Sequence, residues 1–289
     1  MKKILITGAN SYIGTSVEKY LNKYRGYEVS TVDMVDGSWR EKSFSGYDTV
    51  YHVAGIAHSD TGKVSDERKA LYYKINTDLT IEAAKKAKTD GVKQFIFMSS
   101  SIVYGDSAPI GKTKVITKDT PVNPANFYGD SKVKAEEGIL PLHNESFHVV
   151  VLRPPMIYGK GSKGNYPTLA KFALKLPIFP YVRNERSMLY VENLAEFIRL
   201  MIENNEHGIF FPQNAEYSNT SQLVKMIAAA HGKKIWVVKG FGWALKIMSH
   251  MTGLINKAFG SLTYDMSMSK YKVGYNVYGL KDSIERTEG

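Results

Sequence analysis

The chain has 289 residues, 43% of them hydrophobic and 23% charged, enough for a sizeable core in one α/β domain or a domain with a smaller lobe. It contains no cysteine, which excludes disulfides, thiolate metal sites and cysteine nucleophiles. Lys and Arg outnumber Asp and Glu by 38 to 28, but no dense basic block interleaved with aromatics appears, so a small anionic ligand is expected and nucleic acid is not.

The first apolar run, KKILIT (2–7), stops at Gly8 and is too short for a signal-peptide core. No segment approaches the roughly 20 apolar residues of a membrane span, so a cytoplasmic protein is expected. KKILIT predicts a strand and 13–24 a helix. YEVSTVD (27–33) and DTVYHVAG (48–55) predict two more strands. A long helical stretch over 66–89 leads through Gly91 into KQFIFMSSS (93–101). Another helix begins near Tyr128, and FHVVVLRPP (147–155) is a strand stopped by two prolines. Such alternation predicts a Rossmann-type, doubly wound parallel sheet with helices on both faces.

Beyond residue 155 the alternation loosens. Glycine and proline gather in MIYGKGSKGNYP (156–167), helices are expected near 191–204 and 220–230, and IFF (209–211) and KIWVVK (234–239) are short strand candidates. The expected division is a dinucleotide-binding domain over 1–155 and a smaller substrate-binding lobe over 156–289, with elements near 188–204 returning to the first.

Three local patterns carry chemistry. ITGANSYIG (6–14) follows the first strand and opens the first helix, which aims backbone N–H groups and the positive end of the helix at a phosphate. Gly8 and Gly14 are present, while Ser11 stands where a middle glycine would; a purely structural turn would look similar. Asp33 ends the second strand, where a carboxylate accepts hydrogen bonds from an adenosine ribose and repels a 2′-phosphate. NAD is therefore expected over NADP, with Arg40 near enough in sequence to weaken the preference. Tyr128 and Lys132 are spaced i,i+4, so a phenol and an ammonium share one helix face; a solvated face would show the same spacing.

With the glycine turn, Asp33, VYHVAG (50–55), Asn76, SSSIVYG (99–105), YGDSK (128–132), RPPMIYGKGSKGN (153–165) and RSMLYVENLAEFI (186–198) in this order, the chain resembles the extended short-chain dehydrogenase/reductases. Within them it is similar to the nucleotide-sugar epimerase/dehydratase branch. The resemblance implies that Tyr128 is the acid/base on a sugar hydroxyl, with Lys132 lowering its pKa alongside an oxidised nicotinamide and holding the nicotinamide ribose. Tyr128 should then titrate well below a free phenol. Ser100 matches the residue that hydrogen-bonds the reacting oxygen, with Ser99 and Ser101 as rivals. Gly8, Asn10, Ser11, Tyr12, Ile13, Gly14, Asp33, Ala54 and Gly55 match the cofactor-binding positions. Arg186 matches an arginine that grips the substrate diphosphate, and Asn165, near Lys163, lies in a loop that covers the nucleotide.

Family dehydratases place acids directly after the serine, whereas this chain has Ser101 and Ile102, which disfavours dehydration. The expectation is an NAD-dependent epimerase acting at C4 of a UDP-hexose or UDP-N-acetylhexosamine. A 4-ketoreductase of a nucleotide 6-deoxy sugar, with dTDP-sugars in scope, is the alternative, and a non-catalytic dinucleotide sensor is the alternative of another class. The apolar segment 241–260 is expected to pack in the core or against a second copy, with a membrane-surface role as the competing use. The seven histidines show no close metal-ligand spacing.

Overall fold

The computed structural model describes residues 1–56, 64–240 and 259–289. In chain order its strands are β1 (Lys2–Thr7), β2 (Tyr27–Val32), β3 (Thr49–His52), β4 (Gln94–Met98), β5 (Val115–Ile116), β6 (His148–Leu152), β7 (Met156–Tyr158), β8 (Ile178–Pro180), β9 (Met188–Tyr190), β10 (Gly208–Phe210), β11 (Trp236–Val238) and β12 (Thr263–Tyr264). The helices are α1 (Tyr12–Leu21), α2 (Asp66–Tyr73), α3 (Leu79–Thr89), α4 (Phe127–Ile139), α5 (Asn165–Lys175), α6 (Val191–Glu203), α7 (Thr220–Ala230) and α8 (Leu280–Glu288). Two compact units form: Met1–Gly105 with Pro121–Pro154 and Leu194–Pro212, and Asp106–Thr120 with Pro155–Asn193 and Gln213–Gly289.

The first unit holds a six-stranded, all-parallel sheet in the order β10-β6-β4-β3-β1-β2. Register sets its faces. Leu5, Val50, Phe95 and Val149 lie side by side across four strands and join one buried cluster with Ala83, Ala84 and Ala87 of α3 and Ala135 and Ile139 of α4. The alternate residues Ile4, Ile6, Tyr51, Ile96 and Val150 are also fully buried. Both faces are therefore covered, which is why these strands read as continuous apolar runs.

Topology places the functional turns. From β1 the chain moves to β2 on one side and returns through β3 on the other, so the strand order reverses at β1. The loops after β1, β2 and β3 open at the carboxyl edge of that switch point, where open α/β sheets bind ligands.

The expected helix over 66–89 forms with one change. A π-turn, Lys74–Asp78, separates α2 from α3 and buries Asn76 and Thr77. The wider turn lets Asn76 reach out of the helix: its Oδ1 accepts from Ile56 N at 2.8 Å and its Nδ2 donates to Ser131 Oγ at 3.2 Å. Thr77 Oγ1 donates to Ser131 O at 2.7 Å, so the π-turn pins α4 beside the loop after β3.

Among the described residues, the second unit contains three two-stranded parallel pairs, β5 with β12, β7 with β9 and β8 with β11, together with α5, α7 and α8. Among the described residues no helix is long and apolar enough to cross a membrane.

Candidate active site

The glycine turn is latched to the end of β2. Gly8 N and Ala9 N both donate to Val32 O, at 3.0 and 3.2 Å. Gly8 has φ +85°, and a Cβ there would lie 2.9 Å from the Ala54 backbone, so only glycine fits the close approach. Asn10 also takes positive φ, 65°, which asparagine tolerates better than most side chains. Ser11 stands where a glycine was expected because it caps α1: its Oγ accepts from Gly14 N at 3.1 Å. Tyr12 and Ile13 open α1, where N–H groups have no intrahelical acceptor and are available to an anion. Among the described residues the Tyr12 phenol is buried without a hydrogen-bond partner, and burial pushes its pKa up to about 12.

Asp33 follows β2 and is exposed. Its Oδ1 accepts from Val35 N at 2.8 Å, so one oxygen closes a turn while the carboxylate still faces solvent. Arg40 is held elsewhere: it makes a two-pronged pair with Glu82 of α3 and lies 4.6 Å from the Trp39 ring centroid. The tight glycine contact, the open first turn of α1 and the exposed Asp33 fit a dinucleotide.

Asn126 caps α4 by accepting from Gly129 N at 3.0 Å, which fixes the rotation of the helix. Tyr128, Lys132 and Glu136 then form one row at i, i+4 and i+8. Tyr128 is half-buried, edge-on to Tyr72 with ring centroids 6.0 Å apart. Lys132 is buried; its Nζ donates to Met98 O at 3.0 Å and sits 4.8 Å from the Phe97 ring centroid. A Cβ added to Gly55 would lie 3.4 Å from that ammonium, which shows how closely Gly55 backs it.

The phenol's protein surroundings alone act in the opposite sense to the expectation made with an oxidised nicotinamide beside it. Burial pushes Tyr128 up to about 12, with Tyr72 adding to the rise, rather than Lys132 bringing it down. The ammonium is drawn to the Met98 carbonyl, and burial brings Lys132 itself down to about 8, against a smaller opposing effect of Glu136. Any lowering of the phenol below its ordinary value therefore needs a further positive charge beside it.

The serine run separates by burial. Ser99 is buried and its hydroxyl donates to the Glu136 carboxylate. Ser100, partly exposed, caps the short 3-10 turn that follows, its Oγ accepting from Ile102 N at 3.3 Å. Ser101 is tied through its backbone N–H to Pro154 O at 2.9 Å. Ser99 is thus committed to the protein interior, and Ser100 and Ser101 keep the partly exposed positions.

Glu136 and Arg153 were not anticipated. Arg153 Nε and Nη2 donate to the Glu136 carboxylate, and Arg153 Nη1 donates to Tyr104 OH at 2.7 Å. Both charges are buried, so each is held by the other and by the hydrogen bonds around them. The pair ties α4 to the ends of β4 and β6 beneath the serine run. A signal existed, since Glu136 stands four residues after Lys132 on the same helix row.

Behind this wall His52 is fully buried, bonded through Nδ1 to Thr7 Oγ1 at 2.8 Å and through Nε2 to Thr80 Oγ1 at 3.0 Å. Thr80 donates its own proton to Asn76 O, so His52 donates from Nε2 and accepts at Nδ1. Burial, with Lys132 adding, lowers its pKa to about 3, which makes it a neutral structural link.

On the second unit, Arg186 has its backbone bonded in both directions to Ser218, at 2.9 Å each way. Burial lowers its guanidinium to about 10. Asn165 is the exposed first residue of α5, and Lys163 is exposed two residues before it. His143, His148 and His207, far apart in sequence, come together with ring centroids 4.6 to 5.4 Å apart. Among the described residues, however, no three His, Cys, Asp or Glu side chains are placed to hold a metal. The apolar segment 241–260 falls almost wholly outside the described residues.

The NAD dependent epimerase/dehydratase family model matches residues 4–211, and the chain belongs to that family. It is 30% identical to a UDP-glucose 4-epimerase of Vibrio cholerae over 95% of this chain and 90% of that protein. It is 29% identical to the N-acetyl-alpha-D-glucosaminyl-diphospho-ditrans,octacis-undecaprenol 4-epimerase of Escherichia coli O157:H7, over 80% of this chain and 73% of that one. Among solved structures, a dTDP-4-dehydrorhamnose reductase of Clostridium acetobutylicum shares the fold with a TM-score of 0.74 at 21% identity, covering 99% of this chain and 98% of its own. A UDP-glucuronic acid 4-epimerase of Bacillus cereus in complex with NAD gives a TM-score of 0.73 at 20% identity, covering 99% and 97%.

Proposed function

We propose that the protein is an NAD-dependent 4-epimerase of a UDP-hexose or UDP-N-acetylhexosamine. The observation that carries this reading is the row on α4: a half-buried phenol, one turn before a buried ammonium anchored at the end of β4, beside the serine run. Tyr128 takes the proton of the sugar's C4 hydroxyl, and Ser100 hydrogen-bonds the same oxygen. A nicotinamide dinucleotide held at the Gly8 turn, the first turn of α1 and Asp33 would supply the hydride acceptor and donor for C4, giving the hydride back to the opposite face of the sugar. Tyr128 then gives the proton back, so the net change is the configuration at C4 alone.

With a pKa of about 8, Lys132 is mostly charged at neutral pH and adds a positive charge behind the phenol. A bound oxidised nicotinamide would supply the further positive charge that opposes the upward push of burial on Tyr128. Exposed Asp33 and the Arg40–Glu82 pair favour NAD over NADP. Arg186 and Asn165, on the second unit, are assigned to binding the substrate.

The test is incubation of the purified protein with UDP-glucose and UDP-N-acetylglucosamine, followed by mass spectrometry and NMR. A product of unchanged mass with inverted C4 supports the reading. No turnover of these two sugars, with an NAD(P)H-dependent gain of two hydrogens on a dTDP-4-keto-6-deoxy sugar supplied in parallel, would replace it with 4-ketoreduction. Tyr128→Phe separates an enzyme from a sensor: turnover is lost by about a hundred-fold or more while NAD binding persists.

A further inference from the structure

Beyond this chemistry, the second unit presents an apolar face with lysines beside it. Phe172 and Leu176 are spaced i,i+4 at the end of α5 and are 38% and 41% exposed. Beside them, Ile178 of β8 and Trp236 of β11 are register partners, 53% and 62% exposed. Their neighbours Phe179 and Ile235 point inward and are buried, so strand alternation itself turns Ile178 and Trp236 outward. Large apolar side chains clustered in this way signal an interaction surface rather than scattered exposure.

The charged side chains on the segments that carry this face are lysines, while Glu288 of α8 pairs with His231 at the end of α7. Lys234 Nζ lies 4.6 Å from the Trp236 ring centroid, and Lys233 Nζ donates to Leu174 O at 3.0 Å near the end of α5. Lys171 and Lys175 are exposed on α5 beside Phe172 and Leu176. No carboxylate interrupts the sequences that build the face. Between Glu145 and Glu185, and again between Glu216 and Asp265, the chain contains no aspartate or glutamate.

We infer that this face docks on an anionic phospholipid surface. Tryptophan and lysine are the side chains that settle at the boundary between headgroups and acyl chains, the ring in the interface and the ammonium on the phosphates. The face reads the negative charge of the leaflet through its lysines and inserts the four apolar side chains shallowly. The charge arrangement favours this occupant over a second copy of the chain, because two copies would bring like-charged lysine rims together. The inference does not depend on epimerase activity, and its test reads binding alone.

Flotation of the full chain is measured with vesicles of equal parts phosphatidylglycerol and phosphatidylcholine, and with phosphatidylcholine alone. The expected result is retention on the anionic vesicles at low salt, release at high salt and no retention on phosphatidylcholine. Lys175→Gln and Lys234→Gln should each weaken partitioning about five-fold. The double variant Ile178→Ser, Trp236→Ser should abolish retention with an unchanged melting temperature, since both side chains are exposed. Absence of wild-type retention, or retention that these variants leave untouched, overturns the inference. So does a wild-type dimer in sedimentation that Ile178→Ser, Trp236→Ser converts to monomer, which would assign the face to a second copy.

Discussion

Replacing Lys132 by methionine is expected to stabilise the protein while removing its turnover. The ammonium is buried at 6% exposure, and burial lowers its pKa from the ordinary 10.5 to about 8. A shift of that size means that holding the charge costs the folded state about 3 kcal/mol near neutrality. Losing the Nζ to Met98 O hydrogen bond offsets about 1 kcal/mol, and methionine keeps most of the stem's packing. The net expectation is a gain of about 2 kcal/mol at neutral pH. Below the folded pKa of about 8, Lys132 is protonated in both states and the whole cost is present. Between about 8 and 10.5 the unfolded chain holds a proton that the folded chain has lost, so wild-type stability rises with pH relative to the variant and the gap closes. Urea unfolding of both proteins at neutral pH and near the upper end of that window measures the gap, and epimerisation of UDP-sugar measures the cost in function. A loss of about a hundred-fold or more in kcat should accompany the gain in stability. A variant less stable than wild type at neutral pH, or a gap that does not change with pH, would refute the reasoning.

Three further outcomes follow from the geometry. Glu136→Gln leaves the Arg153 guanidinium buried without its carboxylate and should cost about 3–5 kcal/mol, whereas pairing it with Arg153→Met should cost clearly less than the two single changes added; additive losses in chemical denaturation would contradict this. Gly8→Ala meets φ +85° and the Ala54 backbone at 2.9 Å, so it should cost about 1–2 kcal/mol in backbone strain alone and weaken NAD binding by titration calorimetry; wild-type affinity would remove the close-approach argument. Asp33→Ser removes the carboxylate that repels a 2′-phosphate and should move the NADP-to-NAD affinity ratio toward NADP about ten-fold, about 1.4 kcal/mol; an unmoved ratio would detach Asp33 from cofactor choice.

The features readable from the sequence share one property: their geometry is local. A short apolar run, a turn with Gly8 and a helix that begins at once require only neighbouring residues, and so does the i,i+4 spacing of Tyr128 and Lys132. Continuous apolar strands alternating with helices imply a parallel sheet covered on both faces, because only such a sheet buries both sides of each strand. Ser11 was readable as a departure from glycine, though its reason, a cap on Gly14 N, needed the helix start to be placed.

What the sequence left open depends on groups distant in the chain meeting in low dielectric. Ser99 is taken out of contention by Glu136, which is itself set by Arg153 from the end of another strand. Arg40 is paired with Glu82 on a helix 42 residues away. Burial and Tyr72 push the Tyr128 phenol up, while the Lys132 ammonium is directed at the Met98 carbonyl. The basic apolar face of the second unit exists only because β8 and β11 pair and turn Ile178 and Trp236 to the same side. Composition and spacing determined the architecture and the candidate chemistry of this protein, since those rest on short-range geometry and on where apolar side chains fall. Partners and charge states were decided by tertiary structure, because the energy of a buried charge depends on which groups the fold brings within a few ångströms of it.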